Sequence, residues 1–435
     1  MLLTDFQIAA RNLATHTRRN LFLGGALAAV TGLLVLLGAL TSGMESAMME
    51  SATTLMTGHV NVGGFFKITS SSTAPLVSEY PRVLEVVKAN VPELDWATVR
   101  GRGWAKAVSE ATSMDLVLVG VDVTKEPAFR RVLRIKQGRL EDLAQPNTLL
   151  LFEGQADRLK AKVNDVLTLS APTDRGVNNT ADVRVVAIAG NVGLLSAFSA
   201  IIQGDAVRQL YGLKTTTTGA IHLYLDDPRA APAVASRLRA ALAKAGWRVM
   251  DPDPQPYWMK LMQTVPSEDW TGQKLDVTTA DEEMGQFKQF IAALRIVTWL
   301  LGVILMFVVV IGILNTLAIA IRERTREIGT LRAIGMQRRK VLWLFLLETA
   351  LLGAGGAGAG ALVAVGIAAA LNAAHIALPE AAQIFLAQDR LTFLLEPGAI
   401  LRTVLVLGGL TVAASIFPAR RAARLKPVTA MHHIG

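Results

Sequence analysis

Residues 315–341 read NTLAIAIRERTREIGTLRAIGMQRRKV and lie between two long apolar runs. From Arg322 to Lys340 the stretch holds Arg322, Arg324, Arg326, Arg332, Arg338, Arg339 and Lys340 against Glu323 and Glu327, a net charge of +5. Short loops rich in lysine and arginine stay on the cytoplasmic side of a membrane, so the flanking runs read as two spans joined on that side. Within the loop Ile328, Leu331 and Ile334 fall at i, i+3 and i+6, the narrow apolar stripe of one short helix. Two readings of this helix stand open: a docking surface for a cytosolic partner, and a solvated loop lying on anionic headgroups.

Outward from the loop, 26 residues between Arg295 and Arg322 carry no charge. Trp299 sits where an outer aromatic belt is expected, and Asn315 is the strongly polar side chain of the inner half, with helix–helix hydrogen bonding as its default role. A helical pattern through Asp281, Glu283, Phe287, Phe290 and Leu294 runs straight into this span, which predicts one helix of about 40 residues acting as a lever. After Lys340 the third span contains GAGGAGAGA (353–361). No Lys-Ser or Lys-Thr follows, so this is not a phosphate loop. Small residues four apart, Gly356 with Gly360 and Gly353 with Ala357, predict close helix packing instead. Glu348 lies about 12 Å along the helix from Lys340. It is either a functional intramembrane carboxylate or a partner that reaches back to the arginines.

The N-terminus has a matching pattern. Residues 1–20 place Leu2, Leu3, Phe6, Ala9, Ala10 and Leu13 on one face, an amphipathic helix on the inner membrane surface. Leu21–Leu40 carries no charge and suits one crossing, read as a retained anchor and not a cleaved signal. The expected organisation is a cytoplasmic helix (1–20), the first span (21–44), an outer α+β domain of two sub-domains (45–285), the second span with its outer extension (286–321) and the charged loop (322–340). The third span (341–373), a short outer loop (374–397), the fourth span (398–417) and a cytoplasmic tail (418–435) complete it. The fold class is therefore a membrane protein with four transmembrane α-helices and a large α+β domain inserted between the first and second. Both termini are expected inside.

In the 45–285 domain, strand-like runs fall at 58–66, 116–121, 148–152, 166–169, 183–189 and 220–225, and helical patterns at 81–89, 154–159 and 229–245. Four prolines and two tryptophans make 251–274 an irregular connector, in which Tyr257, Trp258 and Trp270 either form a recognition surface or pin the loop to its own domain.

Composition agrees with this topology. Of 435 residues 51% are hydrophobic and 18% charged, against about a quarter charged in soluble proteins. The net charge of +9 is concentrated in the N-terminal segment, the charged loop and the tail, whereas 45–285 holds 26 basic and 28 acidic residues. That distribution is topological, not a nucleic-acid footprint. Absence of cysteine excludes disulfides, thiolate metal sites and cysteine nucleophiles. The chain has no GxxxxGK[ST], HExxH or GxSxG motif. No catalytic residue and no metal site is expected, and the chain is read as non-enzymatic.

ERTREIGTLRAIGMQRRKVLWLFLLE (323–348), the glycine-rich span after it and PARRAARLKPVTAM (418–431) resemble the FtsX/MacB/LolC-type permeases, the mechanotransmitting (type VII) class of ABC transporters. QGRLED (137–142), LLLFEGQADRLKAKVNDVLTLS (149–170), VRVVAIAGN (183–191) and GHVNV (58–62) are similar to that family's periplasmic core. Asn164-Asp165 departs from the common Gly-Asp, and the tail ends HHIG in place of Leu-Arg. The resemblance implies a bacterial inner-membrane permease that binds no cofactor itself, with ATP and Mg on a separate cytoplasmic ATPase subunit. It implies docking through Arg322, Glu323, Arg324, Arg326, Glu327, Ile328, Leu331, Arg332, Ala333 and Gly335, and pairing of two permease chains, identical or different, through the first and second spans. Three functions follow from the resemblance. LMTGHVNV (55–62) brings the chain nearest to lipoprotein-release permeases; the alternatives are efflux of drugs or peptides with an adaptor and an outer-membrane duct, and signalling to a periplasmic cell-wall hydrolase.

Overall fold

The computed structural model describes residues 2–15, 17–69, 72–173, 177–192, 195–376 and 390–424. The expected outer loop at 374–397 and the tail beyond 424 lie largely outside these residues. The chain divides into a helical unit (1–43, 291–376 and the chain from 391) and an α+β unit (44–290 with 377–390).

The helices used below are α1 (Leu2–Thr15), α2 (Thr17–Ala52), α3 (Tyr80–Asn90), α4 (Glu153–Leu159), α5 (Gly204–Tyr211), α6 (Ala231–Lys244), α7 (Gly285–Glu323), α8 (Thr325–Ala333), α9 (Arg338–Ala374) and α10 (Pro397–Ala423). Four of them, α2, α7, α9 and α10, are long and apolar enough to cross a membrane, with mean hydropathies of 2.3, 2.9, 1.8 and 2.0. With 36 and 39 residues, α2 and α7 reach about 54 and 58 Å, well beyond a hydrocarbon core of roughly 30 Å.

In the helical unit α9 is the hub, and its small residues explain why. A Cβ on Gly360 would stand 2.2 Å from the Ala28 carbonyl oxygen, and one on Gly356 3.0 Å from that of Gly24, so α2 lies directly against this edge of α9. Gly353 faces the other way, toward Thr411 and Gly408 of α10. The glycine run thus serves two neighbours, because residues three and four apart present adjacent faces. Leu27, Val309, Ile313, Ala357 and Leu407 close the contact among α2, α7, α9 and α10.

The α+β unit is built from β1 (Val60–Thr69), β2 (Ser72–Ala74), β3 (Leu94–Val108), β4 (Ser113–Val121), β5 (Ile135–Gly138), β6 (Thr148–Phe152), β7 (Val166–Pro172), β8 (Asn178–Ala189), β9 (Ser199–Gln203), β10 (Ala220–Leu225) and β11 (Gly272–Thr279). The order β11-β1-β10-β3, all antiparallel, with α3 between β1 and β3 and α6 between β10 and β11, is a βαββαβ sandwich. Its core joins Val60, Val62, Ile221, Leu223 and Val277 of the sheet to Val83 and Val87 of α3 and Val234 and Leu238 of α6.

Between β3 and β10 the chain inserts a second body. The pairings β3-β4, β4-β9, β9-β6, β6-β8, β8-β7 and β7-β3 return to their start, a ring of six strands. Alternate residues of all six fill one core: Ala105 and Ala107, Leu116 and Leu118, Leu149 and Leu151, Leu167 and Leu169, Val183 and Val185, Ala200 and Ile202. Period-two alternation is what a strand with one buried face requires. The 15-residue β3 belongs to both bodies: Arg100 pairs with Ala220 of β10, and Gly101 with Gly120 of β4. Gly103 admits α5, since a Cβ there would meet the Tyr211 ring at 2.4 Å.

Candidate functional site

The charged loop folds as α8, separated from α7 by Arg324 and ended at Gly335, whose φ of +101° stops the helix without a Cβ penalty. Its polar residues divide sharply. Arg324 Nη1 lies 3.1 Å from Glu348 Oε2 of α9, and Arg332 Nη1 donates to the Ala423 carbonyl of α10 at 2.8 Å. Glu323 pairs with Arg19 of α2 at 2.8 Å, and Lys340 with Asp5 of α1 at 3.5 Å. Arg322, Arg326, Glu327, Ala333 and Gly335 are exposed, as are Arg338 and Arg339.

The stripe at Ile328, Leu331 and Ile334 does not form one outward face. Ile328 is buried with Val341, Phe345, Ala419, Ala422 and Ala423, so it fastens α8 to α9 and α10 and is not part of a free surface. Ile334 is 77% exposed. The Leu331 side chain lies outside the described residues. Glu348 takes the second of its two readings and reaches back to an arginine. Asn315 is exposed on the same apolar side of α7 as Ile304, Ile311 and Ile319, and among the described residues its side chain makes no hydrogen bond. The expected helix–helix bond is thus not formed among the described residues. A cavity of about 30 Å³ lined by Arg19, Asn20, Ile313, Thr316, Phe345 and Glu348 lies between α2, α7 and α9.

In the α+β unit the connector is pinned to its own body. Tyr257 lies under the Arg102 guanidinium, 4.2 Å from Cζ to the ring centroid, and Trp270 is flanked by Lys67 and Lys274. Trp258 and Met262 alone of its large apolar residues point outward, at 36% and 64% exposure. Among the described residues no three His, Asp or Glu side chains converge as a metal site.

Reasoning from sequence missed a buried polar network where β3 passes between the two bodies. Arg100 is fully buried, paired with the equally buried Glu126, and donates to the Thr54 carbonyl at 2.6 Å. Thr54 belongs to the π-helical turn Thr53–Thr57 that follows α2. Tyr224, whose hydroxyl donates to the Thr53 carbonyl at 3.0 Å, has its pKa pushed up to about 12 by burial. Arg102 Nη2 donates to Asn61 Oδ1 at 3.1 Å, Asn61 donates to Thr278, and Thr278 donates to Glu283 at 2.7 Å. Glu283 closes the turn that leads into α7 and accepts from the Tyr257 amide; burial raises its carboxyl above the usual range, although Arg102 opposes this. The network thus touches both chain segments by which the α+β unit continues into α2 and α7. Its sequence signal was Arg-Gly-Arg-Gly (100–103), charge and glycine where a strand pattern is not sought.

Comparison with known proteins matches residues 25–241 to the MacB-like periplasmic core domain and residues 299–427 to the FtsX-like permease C-terminal domain. The chain carries both domains of a MacB/FtsX-type permease. The FtsX-like region runs from within α7 through α8, α9 and α10, so the Arg324–Glu348 pair and the Arg332–Ala423 hydrogen bond are its internal ties, whereas Glu323 and Lys340 join it to α2 and α1. The ABC transporter permease YtrF of Bacillus subtilis is 31% identical over 157 residues, 36% of this chain and 36% of that protein. The macrolide export ATP-binding/permease protein MacB of Campylobacter jejuni is 31% identical over 149 residues, 33% of this chain and 21% of that one. The pyoverdine export ATP-binding/permease protein PvdT of Pseudomonas syringae pv. tomato is 37% identical over 121 residues, 28% and 16%. These alignments span little more than a third of the curated relatives' length at most. Among solved structures the periplasmic region of MacB from Actinobacillus actinomycetemcomitans aligns with 54% of this chain and 93% of that one, at a TM-score of 0.30 and 12% identity.

Proposed function

We propose that this MacB/FtsX-type permease is the membrane subunit of an ABC transporter, and that α8 is the helix on which an ATP-binding subunit docks. The carrying observation is the division of α8 into two faces. Ile328, Arg324 and Arg332 hold it to α9 and α10, while Arg326, Glu327, Ala333 and Ile334 remain outside. A partner that moves α8 therefore moves packed helices and not a slack loop. ATP and Mg belong to that partner, whose phosphate-binding motif does not occur in these 435 residues. The +5 loop supports reading this end as cytosolic, at a bacterial inner membrane, with both termini inside and the α+β unit outside. A second permease chain, identical or homologous, packs on the α7 side that exposes Asn315, where an amide finds its hydrogen bond across the interface.

For cargo, two readings divide the support. LMTGHVNV (55–62) favours extraction of a lipidated protein from the outer leaflet, and the names of MacB and PvdT favour export of small molecules. In both the lever action of α7 reaches the α+β unit without a channel for the cargo. Signalling to a cell-wall hydrolase has only the family resemblance behind it. The test is affinity purification from gently solubilised membranes, with mass spectrometry of what is retained. An ATP-binding subunit should be recovered with the wild-type chain and lost with Glu327→Lys. A lipoprotein supports the first reading, an adaptor the second and a hydrolase the third. An active complex with no ATP-binding component overturns the proposal.

A further inference from the structure

At the crossing of β3 between its two bodies lies a small cavity of about 20 Å³, lined by Met56, Arg100, Arg102, Val119, His222 and Tyr257. That volume holds one water-sized particle. Arg100 spends Nε and Nη2 on Glu126, Thr54 and Tyr224, but its buried Nη1 has no hydrogen-bond partner. His222 is 1% exposed, and its Nε2 stands 3.4 Å from Arg102 Nη2. A guanidinium only donates, so Nε2 accepts and the ring proton sits on Nδ1. Nδ1 is likewise buried without a partner. Burial and the two neighbouring guanidiniums hold this imidazole well below its ordinary pKa, hence neutral.

Arg100 and His222 thus line one cavity, and each has a buried N–H without an acceptor, which is costly for any buried donor. The remaining side chains are aliphatic and thioether, apart from Arg102, which only donates, and Tyr257, whose ring lies under Arg102 and whose hydroxyl both donates and accepts. A water molecule would satisfy the donors but, among the lining side chains, find only the Tyr257 hydroxyl to accept from its own two hydrogens. A monatomic anion accepts only, and gains from both guanidiniums. The nearby carboxylates are engaged elsewhere: Glu126 by Arg100 and Thr98, Glu283 by Thr278 and the Tyr257 amide.

We propose that this cavity is a halide site, taken by chloride in the cell, to which Arg100 Nη1 and His222 Nδ1 donate. The ion fixes the guanidinium that grips the Thr54 carbonyl, and so fixes the turn after α2. It is a binding site of the α+β unit that does not depend on what the permease carries.

The test uses the full chain in detergent. Thermal unfolding, followed by tryptophan fluorescence, is compared in potassium chloride, bromide and gluconate at equal ionic strength, and chlorine-35 NMR line width reports chloride exchange. Chloride and bromide should raise the Tm saturably, on the order of 3 °C, and the protein should broaden the chloride line. His222→Phe removes one donor at similar volume, and Val119→Met fills the cavity while leaving both donors. Whichever of these folds should lose the halide effect and the broadening. Equal Tm in gluconate and chloride would overturn the site in favour of water, and a halide effect undiminished in the variants would place the ion elsewhere and overturn it equally.

Discussion

Arg324 and Glu348 are 24 residues apart in sequence and 3.1 Å apart in space, with only 11% and 14% of their side chains exposed. The pair ties the start of α8 to a point nearly three turns into α9, at a depth where each partner alone would be an unmatched charge. It converts a loop that charge alone would leave on the surface into a fixed strut.

The first prediction concerns that strut. Arg324→Met and Glu348→Gln should each lower stability by about 1.5–3 kcal/mol, the range for hydrogen bonds to charged groups. The double variant should lose clearly less than the two added together, because the pair is one interaction. Thermal unfolding of the four proteins in detergent measures this, and strict additivity would show that the contact contributes nothing.

Packing and docking on α8 separate by residue. Ile328→Asp buries an unpaired carboxylate among Val341, Phe345 and Ala419 and should destabilise the helical unit by more than about 3 kcal/mol. Glu327→Lys, on the exposed side, should leave the Tm within about 1 °C of wild type while abolishing retention of the ATP-binding partner. Parallel Tm and pull-down measurements decide it; a large Tm loss in Glu327→Lys would contradict the two-faced helix.

Two glycines on α9, two residues apart, should respond with opposite signs. A Cβ on Gly360 meets the Ala28 carbonyl at 2.2 Å, whereas one on Gly358 meets nothing within 4 Å. Gly360→Ala should therefore cost about 1–3 kcal/mol by forcing α2 and α9 apart, and Gly358→Ala should gain about 0.5–1 kcal/mol from helix propensity. Unfolding in detergent reads both, and equal effects would mean that α2 does not lie on this edge.

Acid should weaken the α+β unit through His222. Its pKa is held well below 6.5 by burial and by Arg100 and Arg102. Above pH 6.5 neither state binds the proton and His222 adds no pH dependence. As pH falls below 6.5 the unfolded chain protonates and the folded one does not, so stability falls, by up to about 1.4 kcal/mol per pH unit. Asp276 and Glu283, whose carboxyls burial raises, act oppositely: the folded state takes their protons first, so their effect favours the fold as pH falls toward 4.5 and 3.8. The difference in slope between wild type and His222→Gln isolates the imidazole; identical slopes from pH 6.5 to 5 would refute it.

Much of this was legible beforehand. Long apolar runs marked the four candidate crossing helices, without any charge at Leu21–Leu40 and 296–321, since no partner is needed to make lipid exclude charge. The motif at 323–348 marked the family. The strands at 148–152, 183–189 and 220–225 were visible because they are apolar throughout or alternate cleanly. β3 was not visible. Its arginines, lysine and glycines break the apolar pattern, although it is the strand both bodies share. Its charges are tolerable only because Glu126, Asn61 and the Thr54 carbonyl, remote in sequence, converge on them.

The same division holds at α8. The sequence by itself determined that a short basic helix joins two spans, because periodicity and charge are local properties. It placed Ile328 and Ile334 on one stripe, and Glu348 between two roles. Only the tertiary structure decided that Ile328 turns inward, that Glu348 belongs to Arg324 and that Asn315 is exposed on α7. A side chain's role is set by which helix packs beside it, and that neighbour lies tens of residues away, chosen by the small residues of α9 and not by anything the loop itself encodes.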